Sequence, residues 1–280
     1  MEKRIRVNGI ELHVEAEGRG EPLLCIPGLG AGNWLWHWNR AALTRHFRCI
    51  FPELRGSGRS DKPDERYTIS LFAHDMKALM DALGVEQAHV LAASMGGFVA
   101  QYMAANWPDR VGKLVLASTS LGGQVQEGPT GDVLSRLIRP RGKTKKDRLE
   151  DAYPLNFSRE FCQRQRPVLD FITEWRVRLP QPEYAYYRQL LAGNAFDGRH
   201  LARKIKAPTL ICAGRDDPTV PLVNAQTLKN YIPQSRLLVF EGKHLFFVEH
   251  ADAFNEAVLA FLLQDRTPQP EKIAAEKAVS

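Results

Sequence analysis

The stretch His89-Val90-Leu91-Ala92-Ala93-Ser94-Met95-Gly96-Gly97-Phe98 decides how the rest of the chain is read. An apolar run of strand character ends at Ser94. A helical run starts at Met95 and continues through Val99, Ala100, Tyr102, Met103 and Ala104. Pro108 restricts Trp107 and ends that helix. A serine at the apex of so sharp a strand-to-helix turn sits in strained backbone with its hydroxyl raised. Side chains two positions away on either side collide unless they are small, and those positions hold Ala92 and Gly96. Gly97 lets the helix lie close on the sheet. Small-x-Ser-x-Gly also arises by chance in ordinary loops. The strand before it and the helix after it favour a nucleophile.

Outward from this turn, strand-like runs occupy residues 4–14, 23–27, 47–51, 111–119, 208–214 and 236–240. Helical spacing marks residues 67–83 and 252–263. Strands alternating with helices predict a mostly parallel central sheet flanked by helices, an α/β fold. Residues 122–205 interrupt the alternation with several helical patterns and no clear β run. They fall at the carboxyl ends of the strands, where sites form in such folds, so a helical lid (cap) over Ser94 is expected. The predicted division is a core of residues 1–121 and 206–264, a lid of residues 122–205, and a flexible polar tail of residues 265–280.

A serine hydroxyl needs a base, and the base needs an orienting acid. Asp217 follows the strand 208–214, in Gly214-Arg215-Asp216-Asp217-Pro218, with Asp216 as its rival. Alone, this would read as a surface Asp-Pro turn. His244 follows the strand 236–240 across Glu241-Gly242-Lys243, whereas the other histidines fall in strands or helices, His250 being the nearest competitor. An oxyanion hole needs two backbone N–H donors. Met95 supplies one at a helix N-terminus, where the dipole favours negative charge. The turn Pro27-Gly28-Leu29-Gly30 supplies the other. Pro27 has no N–H, which points to Leu29.

The 280 residues suffice for one large α/β domain with an insertion. Composition is that of a globular protein, 44% hydrophobic and 25% charged, with no apolar run of membrane-spanning length. Residues 1–9 are charged and lack an apolar signal core, so a cytoplasmic protein is expected. The four cysteines, Cys25, Cys49, Cys162 and Cys212, show no metal-site or disulfide spacing. The net charge of +6 equals the excess within residues 122–205, which hold sixteen basic and ten acidic residues. The densest part is Arg139-Pro140-Arg141-Gly142-Lys143-Thr144-Lys145-Lys146-Asp147-Arg148. A solvated lid surface explains it most simply, and a field that attracts anionic substrates is the functional alternative. No nucleic-acid motif accompanies the charge. Two further motifs fail. Gly28-Leu29-Gly30-Ala31-Gly32-Asn33 lacks the third glycine of a dinucleotide fingerprint, and Gly142-Lys143-Thr144 lacks both the first glycine and the preceding strand of a P-loop.

Together, Pro27-Gly28-Leu29-Gly30, Glu53-Leu54-Arg55-Gly56-Ser57-Gly58-Arg59-Ser60, the turn around Ser94, Asp217 with Pro221, and His244 resemble the α/β-hydrolase family across residues 5–264. Pro27, Glu53 and Lys243 depart from that family's commoner His, Asp and Gly. The resemblance implies the α/β-hydrolase fold with a cap, no metal and no organic cofactor. Ser94 argues against the members that use Asp at the nucleophile, Leu29 against perhydrolases, and Ala93 against C–C bond hydrolases. What remains resembles carboxylesterases and enol-lactone hydrolases. The expected activity is cleavage of carboxylic esters of small to medium substrates through an acyl-enzyme on Ser94, His244 and Asp217, with Leu29 and Met95 as oxyanion donors. Enol-lactone or C–C bond hydrolysis is the alternative within this mechanism, and a small-molecule receptor on a hydrolase scaffold is the alternative of another class. The expected partner is a small-molecule ester or lactone, with neither nucleic acid nor membrane. Trp34, Trp175 and Phe246 are assigned to the substrate pocket. For the crowded Trp34, Trp36 and Trp38, core packing competes with that assignment.

Overall fold

The strand-like runs form one eight-stranded sheet, β1 (Glu2–Val7), β2 (Ile10–Glu17), β3 (Pro22–Ile26), β4 (Arg48–Pro52), β5 (Ala88–Ala93), β6 (Val111–Ala117), β7 (Thr209–Gly214) and β8 (Ser235–Phe240). The computed structural model describes residues 1–129, 131, 133, 135, 144–179 and 181–264. The predicted tail, residues 265–280, and the first half of the basic run, residues 139–143, lie outside the described residues. Spatial order is β1-β2-β4-β3-β5-β6-β7-β8. The pairs β1–β2 and β2–β4 are antiparallel and all others parallel.

The run at 4–14 is not one strand. It folds back as a hairpin at Asn8 (φ 44°) and Gly9 (φ 81°). Asn-Gly is the pair that tolerates positive φ at both central positions of a tight hairpin, and that signal was in the sequence.

Helices α1 (His37–Leu43), α2 (Ile69–Ala82) and α3 (Met95–Asn106) interleave with the first strands. Between β6 and β7 lie α4 (Lys145–Asn156), α5 (Arg159–Arg164), α6 (Arg166–Arg178), α7 (Glu183–Asn194) and α8 (Arg199–Ala202). The chain then adds α9 (Leu222–Tyr231), α10 (Phe246–Glu249) and α11 (Ala251–Leu262). Thr68 caps α2, its hydroxyl accepting from the Leu71 N–H at 3.0 Å.

Every residue of β5 and β7 is buried, as expected for strands covered on both faces. One face packs on Phe72, Met76, Val99, Met103 and Leu228. The other packs on Trp36, Leu43, Phe247, Phe254 and Val258. Among the described residues no helix is long and apolar enough to cross a membrane. The sheet order reverses at β3, which lies between β4 and β5. A crevice therefore opens outside the carboxyl ends of β3 and β5, where open α/β sheets place their sites.

Candidate active site

Ser94 follows the last residue of β5 with φ 53° and ψ −124°, a region that L-residues seldom occupy. Its backbone is held from several sides. The Ser94 N–H donates to the Ala117 carbonyl at 2.9 Å. The Ser94 carbonyl accepts from the Gly97 N–H and from the Thr119 hydroxyl, each at 2.8 Å. Gly96 is required by contact across the sheet, because a Cβ there would lie 2.6 Å from the Ile26 carbonyl oxygen and 2.5 Å from that of Pro27. A Cβ on Gly97 would meet the Thr119 side chain at 2.5 Å. The small residues thus let α3 pass over the end of β3.

His244 and Asp217 converge on this serine from the ends of β8 and β7. His244 Nε2 lies 3.1 Å from Ser94 Oγ, and Nδ1 lies 2.8 Å from Asp217 Oδ2. Asp217 is buried, and its Oδ1 accepts from the Thr219 and Val220 N–H groups at 2.8 and 3.0 Å. One carboxylate oxygen is thus occupied by the backbone and the other is left for the imidazole. The rival Asp216 is exposed.

The loop carrying His244 is anchored on both sides. Ser118, at φ 48°, donates from its hydroxyl to the His244 carbonyl at 2.7 Å. The Lys243 ammonium donates to the Pro154 carbonyl at 2.6 Å, and the Leu245 N–H to the Asn156 carbonyl at 2.9 Å. Lys243, a departure from the family pattern, thereby ties the loop to the end of α4. Glu53, another departure, is fully buried and accepts from the Arg59 N–H at 2.5 Å.

The turn after β3 approaches closely because Gly28 has no side chain. A Cβ there would stand 3.1 Å from Ser94 Cβ. Gly30 takes φ 63°, and the Ala31 N–H closes on the Gly28 carbonyl at 3.2 Å. Among the described residues, neither the Leu29 nor the Met95 N–H donates to a protein acceptor.

Two cavities meet at Ser94, sharing Leu29, Ser94 and Thr219. The first, about 240 Å³, is lined by His244, Trp34, Leu149, Tyr153, Phe157, Ile172 and Phe247, with Arg148 and Arg176 also in its wall. The second, about 220 Å³, is lined by Met95, Phe98, Ser120, Gln189, Leu190 and Asn194 among others.

Of the residues assigned to the pocket, Trp34 lines the first cavity, and Trp175 and Phe246 line neither. Trp175 stands behind Trp34, at 6.3 Å between ring centroids, and covers Gly32, whose absent Cβ leaves it room. Phe246 is fully buried, stacked on Phe240 at 4.9 Å and edge-on to Phe247. Its neighbours Leu245 and Phe247 take the wall instead, because the turn of α10 sends Phe246 into the core. Ser118, Thr119 and Gln189 did not emerge from the sequence, where no spacing relates them to Ser94.

A family model described as the alpha/beta hydrolase fold matches residues 21–251. A poly(3-hydroxyalkanoate) depolymerase of Ectopseudomonas oleovorans is 33% identical over 245 residues, 88% of this chain and 85% of its own length. A 2-hydroxy-6-oxo-6-phenylhexa-2,4-dienoate hydrolase of Burkholderia cepacia is 29% identical over 271 residues, 91% of this chain and 92% of its own. Among solved structures, the enol-lactonase from Burkholderia xenovorans LB400 superposes with a TM-score of 0.84 at 28% identity, covering 94% of this chain and 100% of that one.

Proposed function

The chain belongs to the alpha/beta hydrolase fold family, and from that premise we propose that it is a serine hydrolase cleaving carboxylic esters through an acyl-enzyme. The observation that carries the proposal is the continuous hydrogen-bonded run from Ser94 Oγ through His244 to a buried Asp217 whose second oxygen is already occupied.

In this reading Ser94 Oγ attacks the ester carbonyl carbon while His244 Nε2 takes the hydroxyl proton. The carbonyl oxygen becomes an oxyanion that accepts from the Leu29 and Met95 N–H groups, the latter at the N-terminus of α3. Collapse breaks the bond to the alcohol, and His244 returns the proton to the departing oxygen. Water then attacks the acyl-enzyme by the same route, releasing the acid and restoring Ser94. Asp217 holds the imidazole with Nδ1–H towards itself and steadies the imidazolium.

The leaving oxygen must lie beside His244, which lines only the first cavity. The geometry therefore supports the alcohol limb in the first, aromatic cavity and the acyl limb in the second. Helices α4, α6 and α7 supply walls to these cavities, which supports the reading of residues 122–205 as a lid. A cytoplasmic setting remains part of the proposal, and four thiol cysteines are compatible with it.

Ser94→Ala removes the nucleophile and leaves the fold. Turnover of p-nitrophenyl esters should fall by roughly 10⁴- to 10⁶-fold with an unchanged thermal midpoint; a variant that keeps most of its activity would overturn the assignment.

Arg148 and Arg176 in the first cavity's wall favour one second reading, an enol-lactone or other anionic substrate. Salt should then raise KM for the anionic substrate and leave a neutral ester unaffected. Equal responses would count against it. A panel of short and long esters, enol-lactones and a ring-cleavage diketone separates ester from C–C bond cleavage.

A further inference from the structure

The turn that carries Leu29 is not held by the sheet alone. The Gly30 N–H donates to Gln189 Oε1 at 3.0 Å, across 159 residues of sequence. Gln189 belongs to α7 and is fully buried. Its Oε1 also accepts from Gln181 Nε2 at 3.0 Å. Its Nε2 donates to the Arg55 carbonyl and to Ser57 Oγ, each at 2.8 Å. Two acceptor and two donor positions are therefore used, the full capacity of a side-chain amide. Gln181, also buried, donates in addition to the Gly56 carbonyl at 2.8 Å. Gln189 stands in the wall of the second cavity, yet none of its polar capacity is left for a substrate.

The consequence falls on Leu29. Two peptide planes flank its Cα. The plane before it contains the Gly28 carbonyl, held by the Ala31 N–H. The plane after it contains the Gly30 N–H, held by Gln189. With both planes pinned, the direction of the Leu29 N–H is set before a substrate arrives, and prior placement is what makes an oxyanion donor effective. We propose that Gln189 is a positioning residue for the oxyanion hole, so that catalytic competence requires α7 to be seated on the Gly28–Gly30 turn. This inference rests on the serine-hydrolase reading and on Leu29 as a donor.

Gln189→Met keeps length and approximate volume and removes the acceptor. For a neutral p-nitrophenyl ester, kcat should fall about 10- to 100-fold while KM changes less than about 3-fold. Affinity for a boronic acid that forms a tetrahedral adduct on Ser94 should fall by a similar factor. Affinity for an unreactive ether analogue of the ester should stay unchanged. Gln189→Glu keeps an oxygen facing the Gly30 N–H and should recover most of kcat, although it loses the donors to Arg55 and Ser57. A purely structural bridge predicts instead that Gln189→Glu is as impaired as Gln189→Met and that both analogues weaken together. That outcome, or a wild-type kcat in Gln189→Met, overturns the proposal. If Gln189→Met does not fold, Gln181→Leu, which leaves the Gly30 contact in place and removes the donations to Gln189 Oε1 and to the Gly56 carbonyl, should lower kcat about 3-fold with the same split between the two analogues. An unchanged kcat in that variant overturns the proposal equally. Ser94→Ala measured alongside separates the two levels: an inactive Ser94→Ala with a fully active Gln189→Met sinks only this inference, while an active Ser94→Ala sinks the reading beneath it.

Discussion

Ser94 occupies a backbone conformation that costs about 1–3 kcal/mol, and the structure shows what sustains it. Its N–H and carbonyl are bonded to Ala117, Gly97 and Thr119, and Gly96 avoids the clash that a Cβ would make with the carbonyls of Ile26 and Pro27. Asp217 shows the same division of labour within one side chain. Oδ1 takes two backbone N–H groups, and Oδ2 is left for His244. Asp217→Asn sets these demands against each other. An amide oxygen turned to the Thr219 and Val220 N–H groups leaves an NH₂ facing Nδ1, which then cannot carry its proton. The imidazole is held in the wrong tautomer. In the proposed mechanism kcat should fall by roughly 10⁴-fold with little change in the urea midpoint. A loss below tenfold would show that Asp217 does not orient the base.

At the scale of elements, α11 ends on an unusual cap. The ammonium of Lys113, from the buried strand β6, donates to the carbonyls of Phe261, Leu262 and Gln264 at the end of α11. These are carbonyls that a helix terminus leaves unpartnered, and the positive charge suits the negative end of the dipole. Lys113→Met keeps the apolar stem and strands the carbonyls. It should destabilise the protein by about 2–3 kcal/mol, read from urea unfolding, and speed amide exchange selectively in the last turn of α11. A neutral substitution would mean that water caps the helix equally well. The β1–β2 hairpin is the converse case, in which a local pair, Asn8-Gly9, determines an element by itself through two positive φ angles.

At the scale of the molecule, charges bind the hairpin to its surroundings. Glu15 accepts from Arg40 at 2.6 Å and from Arg59 at 2.9 Å, and Arg59 also reaches Glu2. The His13 hydrogen bond, opposed by desolvation and joined by Arg40, holds the Glu15 carboxyl well below its ordinary value of 4.5. A carboxylate whose folded value is depressed contributes stability above its unfolded value and loses it as the pH falls towards the folded one. Glu15→Gln should therefore be less stable than wild type at neutral pH. The two thermal midpoints should approach each other as the pH falls below about 4.5; a gap independent of pH would exclude this linkage. Much of this molecule was legible in the chain. Ser94, Asp217 and His244 each follow an apolar strand run, so period and turn chemistry located them, and the alternation of strands with helices determined the sheet. The walls of the site were not legible. Trp34, Trp175 and Phe246 look alike as aromatic residues near the site, yet the turn of α10 buries Phe246, and Trp175 packs behind Trp34 onto Gly32. Ser118 holding His244, and Gln189 holding Gly30, join residues 126 and 159 positions apart. Local spacing encodes which face of an element is apolar. It does not encode which distant polar group that face will meet, so the sequence by itself determined the places of Ser94, Asp217 and His244 at the strand ends and the sheet that carries them, while only tertiary packing decided which side chains wall the cavities and which hold the Gly28–Gly30 turn in place.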